Sequence, residues 1–164
     1  MTRQRVNSFE LVSKELSARL DRLPEDELRR ISIRAARKAV EHIGLDHPII
    51  DDAFAALAAG NFGDSPVRDR LMRLVEELDE RQWDLQDLVD QNKTPKADQS
   101  KAFTAARAAN AVLNALDSDP LASAQETLYE ANAAIRDPDE IRRLVEGPPA
   151  AGGVAPKQAP EARP

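Results

Sequence analysis

Residues 66–90 read PVRDRLMRLVEELDERQWDLQDLVD. Val67, Leu71, Leu74, Leu78, Leu85 and Leu88 recur at three- and four-residue steps, and only Arg81 interrupts that seam. This is the period of a helix with one buried stripe, not the alternation of a strand. Pro66 suits the first helical turn, where the amide it lacks would be unpaired, and Ser65 before it is a cap former. The stretch predicts one long helix, and the rest of the chain repeats its grammar.

Pro24, Pro48, Pro120 and Pro138 stand at equivalent starting positions, with acids or cap formers around most of them. Asp137 and Glu140 around Pro138 have capping-box spacing. Gly44 and Gly60 fit the left-handed position that closes a helix. Between these marks the helical period continues. Segment 8–22 carries Phe9, Val12, Leu16 and Leu20, and segment 24–43 carries Leu28, Ile31, Ala35, Ala39 and Ile43. Segment 48–59 holds Ile49, Ala53 and Leu57. Segments 100–116 and 120–136 are alanine-lined and joined by the tight Asp117-Ser118-Asp119, which makes them antiparallel neighbours. A short seventh helix is expected over 138–146. The expectation is an all-α fold of six or seven helices in one compact bundle over 8–146, with a flexible N-terminus at 1–7. Residues 147–164, rich in proline, alanine and glycine, offer no apolar face and predict a disordered tail. The polar stretch 91–99 predicts a flexible joint inside the domain.

Composition removes whole classes of function. The chain has 164 residues, with 23 basic and 29 acidic side chains and a net charge of −6, so neither a basic nucleic-acid coat nor a polybasic membrane anchor is expected. Cysteine is absent, which excludes disulfide scaffolds, zinc ribbons and thiol catalysis. No apolar run approaches the roughly 18–20 residues of a membrane span, and no apolar core of a secretory signal follows Met1. The expectation is a cytoplasmic protein. The arginine and alanine bias suits a high-GC bacterial genome.

Chemistry-bearing motifs are scarce. The two histidines, His42 and His47, lie near Glu41, Asp46, Asp51 and Asp52, but without Glu-x-x-His or His-Glu-x-x-His spacing. His42 then reads as a cation suited to a helix C-terminus and His47 as a cap residue, so no metal, cofactor or catalytic residue is expected. No glycine-rich phosphate loop or nucleophile elbow occurs. Arg30, Arg34, Arg37 and Lys38 share a side of segment 24–43 with Arg29 beside them, yet three acids open that helix, as dipole compensation alone selects. Nucleic acid is therefore not the expected partner.

The informative feature returns to 66–90. At about 100° per residue, Trp83 points away from the Leu71/Leu74/Leu78/Leu85 seam. Met72, Glu76, Asp79, Glu80, Asp87 and Asp90 fall within about 60° of it by the same arithmetic. The one tryptophan thus lies among carboxylates on the outer face, which is the composition of a binding hot spot. A second helix covering this side would instead make Trp83 core. The candidate partner surface is Trp83, Met72, Glu76, Glu80 and Asp87.

Residues 28–60, LRRISIRAARKAVEHIGLDHPIIDDAFAALAAG, resemble the opening of a set of all-helical bacterial proteins. In these an Arg/Ala-rich helix meets a proline-started helix ending in Ala-x-x-x-Gly, and an Ala-rich helix pair like Ala102 to Ile135 follows a variable middle. Some members are immunity proteins of polymorphic-toxin systems. The set has no catalytic motif to carry over, and the Trp and His positions expected of such immunity proteins do not line up here. The resemblance implies a non-catalytic helical protein that neutralises a basic toxin. The alternative expectation is a helical enzyme or ligand-binding bundle with a carboxylate-lined cleft.

Overall fold

Eight helices and no strand occur among residues 7–147, the part of the chain that the computed structural model describes. They are α1 (Ser8–Val12), α2 (Lys14–Leu20), α3 (Glu25–Ile43), α4 (Pro48–Ala58), α5 (Pro66–Asp90), α6 (Lys96–Ala115), α7 (Pro120–Ile135) and α8 (Pro138–Glu146). The all-α expectation holds. The count exceeds six or seven because segment 8–22 is broken at Ser13 and the short last helix does form. Ser13 is extended at φ −158°, its hydroxyl accepts from the Leu16 amide to start α2, and its own amide donates to the Phe9 carbonyl to end α1. A serine bonding to local backbone is what diverts a helix at such a point. The expected disordered tail lies outside the described residues apart from Gly147. The expected flexible N-terminus lies outside them apart from Asn7, whose Oδ1 caps α1 and whose Nδ2 donates to Ser17 Oγ at 2.6 Å.

The joint expected over 91–99 is instead a short turn. Pro95 caps α6, Thr94 Oγ1 donates to Asp98 Oδ2, and Asn92, left-handed at φ 56°, closes α5 with the Lys93 amide donating to the Leu88 carbonyl. Here proline is a helix start whose flanks are too polar to announce it. α5 and α6 therefore form an antiparallel hairpin.

Two apolar clusters share α3 and α6. One gathers Phe9, Leu16, Leu20, Leu28, Ile31, Leu128 and Ile141, and the other Ile50, Leu57, Leu71, Leu74, Val112 and Leu116. Alanines at the centre of α3, α6 and α7 (Ala35, Ala39, Ala108, Ala111, Ala124, Ala131) are fully buried, and small side chains allow close axial approach. Hydroxyls are tolerated there because they are bonded: Ser123 Oγ lies 3.1 Å from Ser32 Oγ and 3.2 Å from the Ala115 carbonyl. At the far end Arg29 ties three elements together. Its guanidinium donates to the carbonyls of Asp117 (2.5 Å) and Ser118 (2.7 Å) and stacks 3.7 Å from the Phe62 ring centre.

Neither cluster takes an apolar residue from 79–105, the tip of the α5–α6 hairpin. α5 has 25 residues, so it runs for about 37 Å. Its second half is held by α6 more than by the core.

Candidate functional site

The seam of α5 turns as it leaves the core. Leu71 and Leu74 are buried as the leucine spacing requires, but the inward residue of the next turns is Gln82, and Arg81 is exposed. The stripe facing the body runs Leu71, Val75, Leu78, Gln82, Leu85, Val89, a seven-residue repeat of the coiled-coil kind in which a buried amide replaces one leucine. Following leucines alone leads to 78, 85 and 88, and Leu88 is in fact 37% exposed.

This rotation sets the outer face. Trp83 is 64% exposed, so no second helix covers it. Glu76, Glu80, Asp84 and Asp87 are exposed around it and make no ion pair among the described residues. Met72 is placed differently: it is half-buried and packs against the second apolar cluster. Asp79 also leaves the face, because it is bound by α6. The surface that remains is Trp83, Glu76, Glu80 and Asp87, joined by Asp84. Asp87 and Asp90 lie in the last turn of α5, which carries no base, against the negative end of the helix dipole, and Asp90 accepts from Gln86 Nε2 at 2.8 Å.

Asp79 belongs to a polar cluster that the sequence did not announce. Arg107 on α6 donates to Asp79 Oδ1 at 2.5 Å and to Glu130 Oε2 on α7 at 3.0 Å, while Asn110 Nδ2 donates to Glu130 Oε1 at 2.9 Å. The guanidinium also lies 5.7 Å from the Phe103 ring centre, and that of Arg136 lies 5.8 Å from it. Glu130 is the only buried acid among the described residues. Burial pushes its carboxyl above the usual glutamate range, outweighing the Arg107 charge and the hydrogen bonds from Arg107 and Asn110; the charge of Glu126 adds to the rise. Arg107 and Glu130 sit in alanine-rich helices, and their one signal was a charge falling beside the apolar period.

The other candidates resolve into structure. His47 Nδ1 accepts from the Ile49 amide at 3.2 Å and caps α4, while His42 is exposed near the end of α3. No group of three or more His, Asp or Glu able to hold a metal occurs among the described residues. The basic side of α3 is partly occupied: Arg29 is in its clamp, Lys38 pairs with Glu140, Arg30 with Glu27, and Arg37 lies over Phe54. A groove of about 510 Å³ runs between α5, α6 and Leu45, with apolar walls from Leu78, Leu85 and Ala102 and a single carboxylate, Asp98. No described helix is long and apolar enough to cross a membrane.

No protein-family model, curated protein or solved structure matches this chain.

Proposed function

We propose that this chain is a non-catalytic protein-binding protein whose partner brings a basic surface to the outer face of α5. The specific form we favour is an immunity-type protein that neutralises a basic bacterial toxin by covering its working surface. The observation that carries the reading is Trp83, 64% exposed and surrounded by unpaired carboxylates on a hairpin tip outside the core. An exposed tryptophan supplies large apolar area at small entropic cost, and tryptophan is enriched among residues that dominate binding energy. The carboxylates accelerate encounter with a cationic partner and disfavour acidic ones.

The first test needs no partner. Trp83 is the sole tryptophan, so emission from the free protein should be red-shifted and open to a soluble quencher. A blue-shifted, protected emission overturns the reading. With a partner captured from native lysate and purified, Trp83→Ala is expected to weaken binding by about 2 kcal/mol, roughly thirtyfold, with the thermal unfolding curve unchanged. Unchanged affinity moves the interface elsewhere.

Charge reversal reads the acids separately. Glu76→Lys with Glu80→Lys is expected to lower the association rate more than it raises the dissociation rate, and the loss should shrink as salt rises. A loss independent of salt would assign these side chains a contact role in place of steering.

A further inference from the structure

We propose that Trp83 and the carboxylates beside it form a receptor for an arginine side chain of the partner, resting on the reading of this face as the partner surface. The first support is how the chain treats its half-buried phenylalanine rings. Of four phenylalanines, Phe9 is fully buried, and each of the others has a guanidinium over it: Arg29 at 3.7 Å from Phe62, Arg37 at 4.5 Å from Phe54, and Arg107 and Arg136 at 5.7 and 5.8 Å from Phe103. Trp83 offers the strongest π-face of any side chain to a cation. It has no such partner among the described residues.

The second support is the placing of charge. Glu80 lies three residues before Trp83 and Asp87 four after it, so helical geometry sets one carboxylate on each side of the indole along the axis. A planar guanidinium stacked on the ring can direct its edge donors to either carboxylate while its face stays on the indole. Ammonium is a compact, strongly hydrated point charge and gains less from being sandwiched in this way. The nearest base in sequence, Arg81, is two residues away and so about 200° around the helix, where it lines the groove and leaves Trp83 open. The third support is the end of α5. Asp87 and Asp90 add to the negative helix terminus, and a cation seated beside Asp87 relieves both.

The partner is thus a protein segment presenting arginine, and lysine of equal charge does not replace it. The full chain is titrated with nona-arginine and nona-lysine peptides near physiological salt, following Trp83 emission and, in parallel, binding heat. Nona-arginine is expected to quench Trp83 and to bind about fivefold or more tightly than nona-lysine. Trp83→Leu should abolish that preference, read by heat, while keeping the wild-type melting curve. Glu80→Gln with Asp87→Asn should weaken both peptides. Equal affinity for the two peptides, or a preference that survives Trp83→Leu, overturns the arginine receptor and leaves the basic-partner reading intact. Binding of neither peptide overturns both.

Discussion

Leu71→Ala should lower the free energy of unfolding by about 3–5 kcal/mol, the upper part of the range for a large buried aliphatic residue. Leu71 is fully buried in the cluster shared by α3, α4, α5 and α6, so the truncation removes transfer energy and leaves a void that close-packed neighbours fill only in part. Glu76→Ala, five residues on and exposed, should change stability by less than about half a kcal/mol. Leu78→Ala should fall between them, because Leu78 is half-buried and borders the groove. Denaturant unfolding of the three variants checks the order. Equal losses at 71 and 76 would mean that the buried side of α5 is misassigned.

Arg107→Ala should cost about 2–4 kcal/mol, since it strips Glu130 of its counter-charge inside the bundle and unties α5 from α7. The loss is expected to be smaller in a Glu130→Gln background, where no buried charge is left uncompensated. The titration of Glu130 supplies an independent check. Its carboxyl is raised in the folded chain, so between the ordinary glutamate value of about 4.3 and its folded value the native state holds more protons than the unfolded one. Stability from this site is therefore fully present below the ordinary value and is lost as pH rises through the folded one. Glu130→Gln does not titrate, so it should gain on the wild type as pH rises above the ordinary glutamate value. A difference that is flat, or that runs the other way, would show that the pairing with Arg107 outweighs burial.

The polar cluster and the proposed binding face meet at Asp79, one turn before Trp83 on α5. Arg107 holds that carboxylate against α6, which fixes the rotation of α5 where it has left the apolar core. The outward aim of Trp83, Glu80 and Asp87 thus depends on an ion pair as well as on leucines.

Helix starts and stops were legible because they are local. Pro48, Pro66, Pro120 and Pro138 begin helices, and Gly44 ends one at φ 69°, since a missing amide or a missing Cβ constrains the backbone whatever lies nearby. The outward side of Trp83 was legible for the same reason, as a consequence of helical angle. Pro95 escaped notice because its neighbours carry no apolar period, and Ser13 because a break by a serine hydroxyl depends on which amides are free. The turn of the seam from Arg81 to Gln82 depends on where α6 lies, and one helix's sequence does not contain that. Met72 left the outer face for a related reason: angle places it on the same stripe as Trp83, but one end of the stripe lies against the body and the other does not. Arg107, Asn110 and Glu130 meet from positions up to 23 residues apart, and Asp79 joins from a third helix. Spacing and propensity therefore determined most helix limits and the outward side of Trp83. The association of the helices decided which polar groups are buried together, because desolvation and pairing exist only once separate helices bring those groups into one place.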